Sequence, residues 1–212
     1  MDTADKIQLT ISYAIRLTLV FAIVTSIVDK QWMTLFIASL VLFLTFLPAI
    51  LQRNTKMYLP IELEFVVIIF IYATLYLGEV HSYYALFWWW DVLLHIGSAI
   101  ALGIIGFLIV YILNYDPKVK LNLSPVFVAI FSFTFALAIG TLWEITEFFI
   151  DMSLGTNMLK SGLVDTMWDL IVDALGAVLA SALGYLYVVK GDFLLMTRLT
   201  KKLVDRNQHL FK

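Results

Sequence analysis

Long apolar runs, each about the length of a bilayer crossing, constrain this chain more than any other feature. Windows of about 20 residues rich in Leu, Ile, Val and Phe recur at roughly 8–28, 32–51, 60–78, 90–113, 125–151 and 165–189. Polar or turn-forming breaks separate them: Asp29-Lys30-Gln31, Gln52-Arg53-Asn54-Thr55-Lys56, Asn114-Tyr115-Asp116-Pro117-Lys118, and the Gly, Asn and Ser stretch between Ser153 and Gly162. A backbone crossing hydrocarbon must satisfy its own polar groups, and a single apolar run achieves this only as a helix. The expected fold is therefore all-α: a polytopic bundle of about six transmembrane helices. The composition agrees, since 62% of the residues are hydrophobic and the mean hydropathy is +0.93, against roughly 45–50% apolar in a soluble domain.

Residues 1–189 are expected to form one six-helix transmembrane domain, and 190–212 a basic cytoplasmic tail. Lys6 and Arg16 near the first run resemble the start of a signal peptide. No small-residue cleavage pattern follows before Asp29, so that run is expected to be a retained span. Charge then sets the orientation. Of the 14 Lys and Arg residues, Lys6, Arg53, Lys56, Lys118, Lys120, Lys190, Arg198, Lys201, Lys202, Arg206 and Lys212 fall on the side of the N-terminus, and only Lys30 and Lys160 fall opposite. The positive-inside rule places both termini in the cytoplasm of a multi-pass protein of the cell (inner) membrane, with Arg16 snorkelling to the same side. Trp88, Trp89 and Trp90 then fit an aromatic belt at the outer boundary.

Several function classes are excluded by the same count. A net charge of −2 with no basic face outside the tail gives no reason to expect a nucleic-acid partner, and zero cysteines rule out disulfides and thiolate metal sites. The expected partners are membrane lipids. His209 and the basic tail would meet anionic headgroups.

The polar residues inside the spans are the informative ones. The fourth run opens with Asp91 and His95, the fifth closes with Glu144, Glu147 and Asp151, and the sixth opens with Asp165, Asp169 and Asp173. These spacings put each set on one stripe of its helix. With alternating helix directions, all eight groups fall in the outer half of the bilayer. Asp91, Asp151 and Asp165 would share one level, His95, Glu147 and Asp169 would lie about 6 Å deeper, and Glu144 and Asp173 about 10–12 Å deeper. Several ionised, unpaired carboxylates at such depth cost on the order of 10 kcal/mol. No Lys or Arg lies between Leu121 and Leu159 to offset them, and nearby only His95 and Lys160 are basic. Shared protons, a wet cavity or bound cations are the remedies. Seven carboxylates and one imidazole suit one or two divalent ions such as Mg, Mn, Ca, Fe or Zn.

The pattern D-x3-H, then E-x2-E, then D-x3-D-x3-D resembles the YjdF-like family of uncharacterised bacterial inner membrane proteins. The resemblance runs from about Gly78 to Gly184 and rests on Asp91, His95, Glu144, Glu147, Trp168, Asp169 and Asp173; the first two helices add little. It implies a shared fold and site and supplies no activity. The aspartate series also resembles CDP-alcohol phosphotransferases and polyprenyl transferases, but the first family's D-x2-D-G-x2-A-R lead-in is absent, and the second needs basic residues for pyrophosphate. The histidine motifs of ceramidase-type hydrolases and zinc proteases are absent too.

Three functions fit. The leading expectation is a metal-dependent hydrolase or transferase acting on a lipid or membrane-embedded substrate, with Glu147 or His95 as proton acceptor. A cation or proton transporter is the second, and a structural metal cluster in a membrane complex the third. Elsewhere, Gly176, Ala180 and Gly184 form a small-residue stripe for helix packing, as Gly97, Gly103 and Gly106 are expected to do. Glu62 and Glu64 are expected to be solvated at the interface or ion-paired, with Arg16, Arg53 and Lys56 within reach, and His81 to be a solvated loop residue.

Overall fold

The computed structural model describes residues 3–56, 58–115, 122–155, 157–191 and 193–208. Lys118, Lys120 and Lys212 from the charge count lie outside them, as does His209. Every described element is helical, and six helical segments are long and apolar enough to cross a membrane.

The first span is α1 (Thr3–Val28), about 39 Å long at 1.5 Å per residue and ample for a hydrocarbon core of about 30 Å. Its hydroxyls bond back into the helix, Ser12 to the Gln8 carbonyl at 2.9 Å and Thr25 to that of Phe21 at 3.2 Å, so they need no water. The second span is broken into α2 (Trp32–Leu44) and α3 (Leu47–Thr55). Pro48 causes the break: it has no N–H, and its ring clashes with the carbonyl four residues back. Arg16 fills the gap, its guanidinium donating to the Thr45 carbonyl at 2.9 Å and hydroxyl at 3.2 Å while stacking 4.4 Å from the Phe46 ring centroid. Its guanidinium is thus held by the break in the second span. The third span begins as α4 (Ile61–Ile71), continues as a π-helix over Tyr72–Val80, and is followed by the single turn α5 (Tyr83–Leu86). His81 packs edge-on against Tyr76, 4.9 Å between ring centroids.

The remaining spans are α6 (Trp90–Tyr115), α7 (Pro125–Leu154) and α8 (Leu163–Lys190). Ser124 caps α7 by accepting from the Phe127 amide at 3.2 Å, with Pro125 in the first turn. Gly155 ends that helix at φ 67°, its amide bonded to the Asp151 carbonyl at 2.9 Å. An amphipathic helix, α9 (Leu194–Arg206), follows.

By contact the chain divides into two compact units, Met1–Trp90 with Lys202–Asn207, and Asp91–Lys201 with the C-terminal residues. In the first, the ends of distant elements are clasped. Lys202 pairs with Asp5 and, at 2.6 Å, with Glu62; Arg206 pairs with Glu64 at 2.9 Å. Thus Glu62 and Glu64 each have a partner in the tail, and two basic tail residues are engaged by protein carboxylates.

In the second unit, α6, α7 and α8 approach closely where residues are small. A Cβ on Gly176 would come within 2.8 Å of both the Ile96 carbonyl and Ala99 Cβ, and one on Gly184 within 2.8 Å of the Phe107 ring. Gly103 is in tight contact with Ala180, and the Ser132 hydroxyl donates to the Gly103 carbonyl at 2.6 Å. Gly97 differs from expectation: nothing lies within 4 Å of where its Cβ would be.

Candidate metal centre

The polar stripes of α6, α7 and α8 converge within the second unit, and His95 is their hub. Its Nε2 lies 3.8 Å from Asp91 Oδ1, 3.8 Å from Glu144 Oε1 and 3.9 Å from Asp169 Oδ1. On the other side of the ring, Nδ1 lies 3.3 Å from Asp173 Oδ1. His95, Glu144, Asp169 and Asp173 are all buried, and Asp91 is half-buried.

These separations decide between two kinds of contact. Distances of 3.8–3.9 Å are too long for hydrogen bonds. They match donor atoms arranged around one ion: with ligand bonds of about 2.1–2.4 Å, neighbouring donors sit about 3.0–3.9 Å apart. Asp91, His95 and Asp169 each offer a ligand atom within 4.8 Å of the others. Glu144 adds a second observation. It is only 3% exposed, yet neither of its carboxylate oxygens has a hydrogen-bond partner. The Thr166 hydroxyl lies close to it without closing a hydrogen bond. Asp173 Oδ2 is orphaned in the same way. A buried, unpartnered carboxylate costs at least about 1–3 kcal/mol, and more when ionised. A cation among these groups removes that cost.

With a proton on Nδ1 donated to Asp173, the imidazole would turn its Nε2 lone pair toward the three carboxylates, the arrangement of a carboxylate–histidine–metal relay. Asp173 then orients the imidazole. Gly140, one turn before Glu144, makes room for it, since a Cβ there would overlap Asp173 Oδ2.

The layers expected from helix rise merge here, because side chains bridge a single turn: His95 meets Glu144 and Asp173 from the level below as well as Asp169 from its own. Glu147 is half-buried and couples electrostatically to Glu144, His95 and Asp91. Asp165 is half-buried one turn before Asp169 and couples to Lys160 and Asp91. Asp151 takes a different place from the one expected: its two oxygens accept the Met158 and Leu159 amides at 2.8 and 3.0 Å, which makes it an anchor for the turn after α7. Lys160 projects from that turn and pairs with Asp91 Oδ2. Burial alone would lower its pKa, and the ion pair more than reverses this, so the ammonium is held above the ordinary lysine range.

Sequence reasoning overlooked Gly140 and Thr166. Gly140 carries a signal in hindsight, standing four residues before Glu144 on the same helical stripe. Thr166 carries none, because helix hydroxyls are common and usually bond to their own backbone.

A membrane protein with a buried acidic and histidine cluster is the class that this fold and site define. Residues 11–190 match the family described as "Predicted membrane protein (DUF2238)", and the chain belongs to that family. No curated protein and no solved structure matches it.

Proposed function

We propose that the cluster is a divalent-cation site, and that the protein is a metal-dependent enzyme acting on a lipid or another membrane-embedded substrate from the outer leaflet. The buried Glu144 carboxylate, orphaned beside His95 Nε2, carries this reading. Asp91, His95 through Nε2, Glu144 and Asp169 would hold the ion, with Asp173 orienting the imidazole. Oxygen donors with one imidazole suit Mg, Mn, Fe or Zn, and Ca with more oxygens. Such an ion would polarise a phosphoryl or carbonyl oxygen and acidify a bound water. Glu147 is then the better proton acceptor of the two considered, since a ligating His95 has no free lone pair. The spacing of these residues also supports grouping the chain with the YjdF-like proteins it resembles.

Transport ranks second for a structural reason. Along α6 beyond His95, α7 before Glu144 and α8 between Asp173 and Lys190 there is no charged residue, and close contacts at Gly176 and Gly103 pack the helices together next to the cluster. A conducting path needs polar access from both ends.

Elemental analysis of purified protein dialysed against Mn2+ tests the reading. One or two equivalents are expected in the natural chain and fewer in Asp169→Ala. Unchanged, substoichiometric metal in both would end it. A metal-dependent product from a membrane lipid extract would then separate enzyme from carrier.

A further inference from the structure

Lys160 is the one lysine or arginine that the described structure shows paired with the acidic cluster, and it pairs there under backbone strain. Its φ is 41°, a left-handed conformation with no glycine, asparagine or aspartate to ease it, and Gly162 follows at φ 68°. The turn is pinned by the bonds from Met158 and Leu159 to Asp151, and by Gly162 N–H to the Leu159 carbonyl at 2.6 Å. From this base the ammonium reaches Asp91 Oδ2, while Asp91 Oδ1 faces His95. One carboxylate of the candidate ligand set is thus already half neutralised by a positive charge belonging to the chain.

We propose that Lys160 is a tethered competitor of the divalent ion: it occupies Asp91 while the centre is ion-free, and yields that carboxylate when the ion enters. This rests on the metal reading above. Electrostatics supplies the direction. A positive charge beside a ligand repels an incoming dication and lowers the donor strength of the oxygen it holds, so Lys160 weakens ion binding. A centre of several carboxylates would otherwise hold its ion nearly permanently. With its own counter-cation it exchanges the ion and is not left unbalanced when empty. A residue that merely supported the fold would act in the opposite sense, because removing it would loosen the ligands and lower affinity.

That difference in sign is the test. Free Mn2+ is titrated against the purified natural chain, Lys160→Met and Lys160→Arg, following the signal of unbound Mn2+ by electron paramagnetic resonance. Thermal midpoints are recorded with and without saturating Mn2+. The natural chain and Lys160→Arg are expected to bind alike, and Lys160→Met at least about tenfold tighter. Lys160→Met should also unfold earlier than the natural chain without Mn2+, and this deficit should vanish at saturation, where the pair with Asp91 no longer exists. Equal or weaker binding by Lys160→Met, with the natural chain still binding, overturns the competitor role and leaves the metal centre standing. No Mn2+ binding by any of the three proteins overturns both.

Discussion

Asp173 has two oxygens with different fates. One faces His95 Nδ1 at 3.3 Å, and the other is buried, unpartnered and pressed against the backbone at Gly140. Replacing a mid-helix glycine with alanine ordinarily stabilises a helix by roughly 0.5–1 kcal/mol. At Gly140 the sign should reverse, because the added methyl must displace the carboxylate that sets the imidazole. Gly140→Ala is expected to weaken Mn2+ binding about 10- to 100-fold, the usual effect of losing an outer partner of a metal-ligating histidine. Gly97→Ala is its control: with open space around it, that variant should bind as the natural chain does. Equal affinities in the two variants would mean that Asp173 does not position His95.

At the scale of elements, run length alone located the spans, since a crossing needs about 20 apolar residues and the breaks are polar. The acidic stripes were legible for a similar reason: one turn is 3.6 residues, and groups at i and i+4 must share a face. What one sequence could not supply was the partner of a side chain on another helix. Arg16 is the clearest instance. Its position near one end of an apolar run suggested the interface, and Pro48 was visible, but nothing tied Arg16 to Thr45, 29 residues on. The π-helical stretch after Ile71 was equally invisible, because it changes hydrogen bonding without changing hydropathy. Thr45 is 1% exposed, so Arg16→Met should leave its carbonyl unpaired at a cost of about 1–3 kcal/mol. Thermal unfolding in detergent should show a lower midpoint for Arg16→Met and a smaller loss for Arg16→Lys, which keeps the charge but not the two-pronged donor. No loss in either would mean that the break in the second span does not depend on Arg16.

For the molecule as a whole, six crossings return the chain to the side where it began, and α9 is where this becomes a contact. It lies beyond residues 11–190 that match the family. Even so, Lys202 reaches Asp5 and Glu62, Arg206 reaches Glu64, and Asn207 exchanges hydrogen bonds of 2.7 Å with both the amide and the carbonyl of Tyr58. The tail's charge had suggested lipid headgroups; two of its cations, Lys202 and Arg206, meet the protein's own carboxylates. Burial pulls the Lys202 pKa down, the bonds to Asp5 and Glu62 push it up further, and the net shift is upward. A group whose folded pKa is raised gives its full stabilisation below the unfolded value, about 10.4 for lysine, and loses it as pH rises through the folded one. The clasp should therefore hold from neutral pH to about pH 10 and release only beyond that. Because the chain has no cysteine, a nitroxide on the single thiol of Lys201→Cys reports this directly. Its motion should be restricted up to about pH 10 and freed above the raised lysine value. With Lys202→Met added, the label should move freely at every pH. Identical spectra for the two proteins across the whole range would show that the Lys202 pairs contribute nothing to holding this end of α9, which would then rest on Arg206 and Asn207.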